Sequence, residues 1–131
     1  MSNIIEFTAE RLDARALLTA GWLENGSLDI YTEPRPLVSG AALTTQTLLV
    51  TMAMPASLAV SDGVITGAMV GDTIAASGIA AWGRFRDSGG FSIADADVGT
   101  DGSSEAIQIA STLSLTAGYA MEPVSFALAE G

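Results

Sequence analysis

The chain has 131 residues, the usual size of one domain and too short for two ordinary ones. Its 15 acidic residues outnumber five basic ones, all arginine, and the net charge of -10 disfavours nucleic acid and anionic membranes as partners. The absence of His, Cys and Lys excludes imidazole, thiolate and Schiff-base catalysis and removes the usual zinc ligands.

Residues 8–20 form the one predicted helix. The side chain of Thr8 can cap the first turn, and Gly21 suits the position after the last turn. Apolar residues recur at helical spacing, so we expect one face of the helix to cover the rest of the domain. That face is predicted to consist of Leu12, Ala16, Leu17 and Ala20.

From residue 27 onward the apolar residues alternate, which is typical of β-strands. Asp62 and Gly63 supply the positive φ angles of a tight hairpin turn. A four-residue turn at 87–90 is expected to bring Phe85 and Phe91 close together across the next pair of strands. Leu28 and Ile30 lie on one face of the first predicted strand. The predicted strands are 27–32, 44–53, 58–60, 64–66, 73–86, 91–98, 106–115, and a last one containing Val124, Phe126 and Leu128.

These seven or eight short strands do not alternate with helices. The pattern therefore favours a mainly β fold, an antiparallel β-sandwich or jelly-roll-like barrel with one N-terminal α-helix. All residues from 1 to 131 are assigned to this single domain. No apolar stretch approaches the roughly 20 residues of a membrane span, so we expect a soluble protein without membrane contact.

Acidic residues cluster at 95–102, which makes this segment the best candidate for a bound cation. Calcium takes carboxylate oxygens from loops, and residues 98–104, rich in Gly and Ser, are predicted to be a loop. The EF-hand spacing fails, because its third acidic position falls on Gly99 and its final glutamate position on Ala106. A solvated strand end is the ordinary alternative, so no metal and no cofactor are predicted. The weak candidate ligands are Asp95, Asp97 and Asp101.

Trp82, Arg84 and Arg86 alternate along one predicted strand and therefore share a face. Trp and Arg are enriched at interface hot spots, so one hypothesis is a docking patch for an acidic or aromatic partner. The alternative is internal: the two arginines pair with Asp95 or Asp97 across the hairpin, and Trp82 packs on their aliphatic stems.

Pro34, Arg35 and Pro36 lie in a predicted loop at 33–40, where the prolines prevent regular strand pairing. In one interpretation the prolines end the preceding strand and protect a sheet edge. In the other, the loop is an arm that lies on a neighbouring subunit.

One ordered set of motifs runs through most of the chain, at 28–36, 47–50, 63–66, 77–87 and 95–99. In this order the motifs resemble a group of small proteins encoded among the virion genes of tailed bacteriophages and prophages. The group has an "IYTG-x-x-P"-like turn, a "Gly-Val-Leu-Thr"-like hairpin and a "Gly-Thr-Ala-x-Trp-Phe-Arg" strand. The chain departs from this pattern at Gly83, where the group has an aromatic residue, and at Glu33, where it has Gly.

The resemblance implies a virion structural component without enzymatic activity, assembled in the cytoplasm of a bacterial host. Its partners would be other virion proteins of the capsid or tail and further copies of itself. Only 15% of residues are charged and 49% are hydrophobic, which favours surface hidden in an assembly. The predicted contact residues are Pro34, Arg35, Pro36, Trp82, Arg84 and Arg86.

A second hypothesis is a β module that binds a ligand or receptor, for example a carbohydrate. Such a module would use exposed aromatic side chains. The candidates are Trp22, Tyr31, Trp82 and Tyr119.

Overall fold

The computed structural model describes residues 9–69 and 72–129, and it describes helix side chains from Ala16 onward. This part of the chain contains one helix and ten strands. They are α1 (Ala9–Leu23), β1 (Ser27–Tyr31), β2 (Leu48–Ala53), β3 (Ala59–Ser61), β4 (Val64–Met69), β5 (Gly78–Ile79), β6 (Trp82–Arg86), β7 (Ser92–Thr100), β8 (Ile107–Ile109), β9 (Ser114–Leu115) and β10 (Val124–Ala129).

Eight strands form one sheet in the order β2-β1-β6-β7-β8-β10-β4-β3, and β5 pairs with β9 in a small second sheet. Strand β7 joins the two halves of the large sheet. It pairs antiparallel with β6 as far as Asp97, and from Val98 it pairs parallel with β8, the one parallel pairing among these strands. The sheet curls into a half-barrel. The predicted mainly β fold with one short helix is confirmed, and the curled sheet is consistent with a sandwich or barrel-like architecture.

The core lies on the inner face of the curled sheet. The rings of Phe85 on β6 and Phe126 on β10 meet edge to face with centroids 5.1 Å apart, so the core links the two halves. Burying one such side chain contributes about 1.5–3 kcal/mol to stability. Helix α1 contacts β3 and β4. Its buried side chains are Ala16, Ala20 and Leu23.

The helix is longer than predicted, and its buried face is different. Gly21 lies inside the helix, and Asn25, with φ of 64°, is the left-handed residue that follows the end. Leu17 is exposed, because the face that packs on the sheet is centred on Ala16, Ala20 and Leu23. The predicted cap Thr8 and the side chain of Leu12 lie outside the described residues.

The predicted hairpin is confirmed. Strands β3 and β4 are joined by a two-residue turn in which Asp62 has φ of 52° and Gly63 has φ of 76°. The final strand is also confirmed, since Val124 and Phe126 are buried, Leu128 is partly buried, and the alternating Ser125 and Ala127 are exposed. Here one covered face produces the alternation that the sequence displays.

The turn at 87–90 is present, and the Asp87 carboxylate accepts hydrogen bonds from the amides of Gly89 and Phe91 at 2.9 and 3.0 Å. The predicted approach of Phe85 to Phe91 is wrong. Phe85 pairs with Ala94 and points into the core, whereas Phe91 precedes β7 and is largely exposed.

Two long predicted strands are shorter. Residues 44–47 lie outside β2, because the Gln46 side chain bonds the amide of Thr44 and the carbonyl of Pro34. Residues 73–86 are interrupted, because the chain there changes partners. Ala75 bonds to β2 through the carbonyl of Leu49, residues 78–79 pair with β9, and only residues 82–86 belong to the large sheet.

The segment after Asp97 also differs from expectation. Residues 98–100 belong to β7, so the turn begins at Asp101 rather than at Val98. Gln108 donates from its amide to the carbonyl of Ser103 and holds this turn. The predicted strand at 106–115 consists of two short strands, β8 and β9, which belong to different sheets.

Candidate functional site

The outer face of strands β2, β1, β6 and β7 is polar and aromatic. Strand β1 alternates as predicted, with Leu28 and Ile30 pointing inward, but the outward Asp29 and Tyr31 are also buried. Both faces of this part of the sheet are therefore covered. One row of cross-strand neighbours on the outer face is Thr51, Asp29, Arg84 and Asp95. The next contains Tyr31 and Trp82, whose rings stack with centroids 4.7 Å apart.

Arg84 and Asp95 form a buried, forked ion pair. The guanidinium Nε donates to Oδ1 at 2.8 Å and Nη2 donates to Oδ2 at 3.1 Å, with Arg84 only 3% exposed. The guanidinium carbon also lies 5.3 Å from the centroid of the Trp82 ring, in cation–π range. Two parallel hydrogen bonds and an aromatic contact offset the desolvation cost of the buried charges.

The same ion pair fastens the β1–β2 loop (residues 32–47). Arg84 Nη2 also donates to the carbonyl of Ala41 at 2.8 Å, and Asp95 Oδ2 accepts from the amide of Gly40 at 3.1 Å. The indole nitrogen of Trp82 donates to the carbonyl of Thr32 at 2.8 Å. Three outer-face side chains thus bind the loop backbone and lie beneath it.

The ends of the loop are joined to each other. The amide of Thr47 donates to Thr32 Oγ1 at 2.9 Å, and the amide of Thr32 donates to the carbonyl of Thr47 at 3.1 Å. Gln46 reaches back to the carbonyl of Pro34. Arg35 contacts Asp97 at 3.4 Å, but both side chains are about half exposed, so this pair contributes little. The loop is held at its base and again at Gly40 and Ala41.

Between these points, Leu37 and Val38 project from the loop. Leu37 is fully exposed and Val38 is 70% exposed. The amide of Ala41 donates to the carbonyl of Val38 at 3.1 Å, which closes a tight turn directly before the fastened residues. Two apolar side chains are therefore held in solvent on a constrained backbone.

A second ion pair lies beside the first. Asp29 Oδ2 accepts from Arg86 Nε at 2.8 Å, and Oδ1 accepts from Thr51 Oγ1 at 2.8 Å. The hydroxyl of Tyr31 adds a longer bond of 3.3 Å to Oδ2. The hydrogen bond to Asp29 raises the pKa of Arg86 above its already high ordinary value, so this guanidinium stays charged wherever the protein is folded.

The structure brings the predicted docking residues Trp82, Arg84 and Arg86 together on one face. However, Trp82 and Arg84 are buried beneath the β1–β2 loop and have no surface to offer a partner. The internal alternative describes them better, because Arg84 pairs with Asp95 as that alternative expects. Arg86 is only partly exposed and pairs with Asp29, a partner the sequence analysis does not identify.

The other three predicted contact residues lie on the loop. Pro34 and Arg35 are exposed and Pro36 is partly exposed. The prolines do not protect a sheet edge, because β1 lies between β2 and β6. Strand β2 is the edge strand of this half of the large sheet. The amides of residues 75 and 76 cover it by donating to the carbonyl of Leu49.

The three candidate metal ligands are not gathered around one point. Asp95 is bound to Arg84, Asp97 faces Arg35, and Asp101 is exposed in the turn after β7. Within residues 9–69 and 72–129, no group of three or more acidic side chains is arranged to hold a metal ion. An open cleft of about 770 Å³ at the base of the β1–β2 loop has Glu33, Asp97 and Glu105 among its lining residues.

Among the aromatic candidates for ligand binding, Tyr31 and Trp82 are buried against each other. Trp22 on α1 and Tyr119 before β10 are exposed, and Tyr119 lines a cavity. The residues that the sequence analysis missed are Leu37, Val38 and Asp29. An apolar pair directly after two prolines was the available signal for Leu37 and Val38.

Gly83 lies where the structure leaves no room for a side chain. A Cβ atom there would lie 2.8 Å from the Ile107 side chain and 2.9 Å from that of Leu28. Ile107 comes from the other half of the sheet, so β6 approaches it across the core too closely for an aromatic residue at position 83.

No protein-family model, curated protein or solved structure matches the chain. The described residues include no helix that is both long enough and apolar enough to cross a membrane.

Proposed function

We propose that this protein is a non-enzymatic structural subunit of a tailed-phage particle, associated with the capsid and assembled in several copies. The observation that carries the proposal is the β1–β2 loop, which holds exposed Leu37 and Val38 on a backbone fastened by a buried ion pair. A preorganised apolar contact loses little conformational entropy on binding, so it suits a surface that must associate.

The charged groups support a structural role. Each of the three arginine side chains that the structure describes, Arg35, Arg84 and Arg86, contacts an aspartate. Two of these pairs are largely buried and stabilise the sheet and the loop. Arg84 and Arg86 are thus engaged in holding the fold, and the chain has no His, Cys or Lys to provide a nucleophile or base.

The net charge indicates how the copies would associate. At -10 per chain, neighbouring copies repel each other at low ionic strength. Apolar contacts through Leu37 and Val38 would oppose that repulsion, and many symmetric copies would make weak contacts persistent through avidity. Salt is expected to strengthen association, since the screening length falls from about 10 Å at 0.1 M to about 3 Å at 1 M.

The test is incorporation into particles. Virions would be produced with the wild-type gene, with the Leu37→Gln/Val38→Gln double variant, or with Leu18→Gln, which changes another exposed leucine, on α1. Mass spectrometry of purified particles would count copies of the chain. We expect many wild-type and Leu18→Gln copies per particle and few copies of the double variant.

Absence of the wild-type chain from purified particles would contradict the proposal. So would a gene whose neighbours encode no portal, capsid or tail protein. If the double variant were incorporated as well as the wild type, the virion role would stand, but the β1–β2 loop would not be the contact.

A further inference from the structure

A cavity of about 300 Å³ lies beside the small β5–β9 sheet, on a different part of the molecule from the β1–β2 loop. Its lining residues include Ile74 and Leu115, which are buried, and Tyr119, which is 68% exposed. Of the lining residues that the structure describes, Glu122 is the one with a carboxylate. The hydroxyl side chains in the lining are Thr112, Ser114 and Thr116.

The backbone around this cavity is constrained. Ile74 donates from its amide to the carbonyl of Tyr119 and accepts from the amide of Gly118, both at 2.9 Å. Gly118 has φ of 90°, and the amide of Tyr119 donates to the carbonyl of Thr116 at 3.3 Å, which closes a tight turn. The exposed aromatic ring is therefore presented from a backbone bonded on both sides rather than from a free loop.

Glu122 is incompletely satisfied. One carboxylate oxygen, Oε2, accepts a hydrogen bond from the hydroxyl of Ser111. The other, Oε1, is buried and has no hydrogen-bond partner in the described part of the chain. Buried acceptors almost always have a donor, and an acceptor without one is destabilised by its lost hydration. Glu122 lines the cavity, so the hydroxyl of a ligand bound there is the kind of donor that its carboxylate lacks.

We infer that this cavity binds a saccharide, holding one pyranose ring. A pyranose has an apolar C–H face that can pack on Tyr119, and its hydroxyls can donate to Glu122 and exchange hydrogen bonds with the Ser and Thr side chains. The volume is at the small end of ligand sites, which fits one sugar ring better than a larger cofactor. This inference rests on the cavity alone and does not depend on the proposed role in a virion.

Other ligand classes fit the lining less well. Among the described lining residues there is no basic side chain, so a phosphate-bearing ligand would meet Glu122 without a compensating cation from them. Hydroxyls and a carboxylate disfavour an acyl chain, because these polar groups would lose their water. A single carboxylate is too few ligands for a divalent cation, which takes six or more oxygen atoms.

The test is an NMR titration of the whole chain with D-glucose, D-galactose and N-acetyl-D-glucosamine, with n-propylamine as a cationic control. We expect at least one sugar to bind with a dissociation constant of roughly 1–10 mM. Shifted amide signals should come from residues 112–122 and from Ile74. Tyr119→Ala and Glu122→Gln are each expected to weaken binding about tenfold, whereas Phe91→Ala, at another exposed aromatic residue, should leave it unchanged.

Three outcomes would overturn the inference. They are the absence of shifts with every sugar at tens of millimolar, sugar binding that persists in Tyr119→Ala, and binding of n-propylamine alone that disappears in Glu122→Gln. The last result would identify the cavity as a cation site. None of these outcomes bears on particle incorporation, so the two proposals fail separately.

Discussion

The two halves of the curled sheet cover their outer faces differently. On β4 and β10 the outward residues Thr66, Ala68, Ser125 and Ala127 are small and exposed. On β1 and β6 the outward residues Asp29, Tyr31, Trp82 and Arg84 are large and buried, and Trp82 and Arg84 bind the β1–β2 loop above them. In the half that contains β4 and β10, one face of the sheet is exposed to solvent. In the half that contains β1 and β6, both faces are covered.

This difference shows what a loop needs in order to act as a layer. Loop backbone brings polar groups that must be satisfied where water is excluded. Arg84, Asp95 and Trp82 provide those partners, so the loop can cover the sheet while Leu37 and Val38 remain exposed. The outer face of β4 and β10 carries no such side chains.

The largest expected effect comes from removing the cation beneath the loop. Arg84→Ala leaves the buried Asp95 carboxylate unpaired and should lower the free energy of unfolding by about 3–5 kcal/mol. Ser125→Ala, on the exposed face of the other half, should change it by less than about 0.5 kcal/mol. Urea denaturation measures both.

The double variant Arg84→Met/Asp95→Leu sharpens this comparison. Because it leaves neither charge unpaired, it should recover part of the lost stability. The rest should stay lost, since the amide of Gly40 and the carbonyl of Ala41 have no partner in this variant. If Arg84→Ala costs less than about 1 kcal/mol, the ion pair does not hold the loop.

The next effect concerns the point where the two halves meet. Gly83→Ala would place a methyl group 2.8 Å from Ile107, and such overpacking typically costs about 1–3 kcal/mol. Gly21→Ala is the matched control, since a Cβ there meets nothing within 4 Å and the site is helical. Gly21→Ala should raise the free energy of unfolding by about 0.5–1 kcal/mol. Thermal unfolding should show a lower melting temperature for Gly83→Ala and a higher one for Gly21→Ala. An unchanged melting temperature in Gly83→Ala would mean that the two halves of the sheet are less closely packed.

An effect of similar size is expected at the second ion pair. Arg86→Gln removes a charged donor to Asp29 and should cost about 1–3 kcal/mol. Since the pKa of Arg86 is raised, its contribution is present below its ordinary pKa and is lost only as the pH rises through the higher folded value. The stability difference from wild type should therefore be constant between about pH 7 and pH 10. If the stability difference between Arg86→Gln and wild type shrank across that pH range, Arg86 would not be the charged partner that stabilises Asp29.

The smallest effect on stability is expected from the exposed loop residues. Leu37→Gln/Val38→Gln changes side chains that contact mostly solvent, so the free energy of unfolding of the isolated chain should change by less than about 0.5 kcal/mol. Urea denaturation at low protein concentration would measure this. A loss of more than about 1 kcal/mol would place these side chains in the fold instead.

Local sequence rules predicted the main features of the half whose outer face is exposed to solvent. The Asp62–Gly63 turn, the alternation of Val124 and Phe126 and the mainly β class all depend on short-range chemistry, and all are present. The turn at 87–90 follows the same rule, because Asp87 caps its own loop.

The covered half required long-range information. Alternation distinguishes the two faces of β1 but does not show that both are buried, and Asp29 pairs with Arg86 only because β1 and β6 are neighbours. The parallel pairing of β7 with β8, and the changes of partner between residues 73 and 86, likewise depend on tertiary topology. The ion pair of Arg84 was foreseen, because Asp95 lies on the adjoining strand of the same hairpin.

The most direct test of the assembly proposal is sedimentation velocity of the purified chain at low salt and at about 1 M salt, where charge repulsion is screened. We predict an oligomer that is favoured by salt, a monomer for Leu37→Gln/Val38→Gln, and wild-type behaviour for Leu18→Gln. A wild-type chain that stays monomeric at high concentration and high salt would contradict self-association, and a double variant that assembles normally would contradict the loop contact.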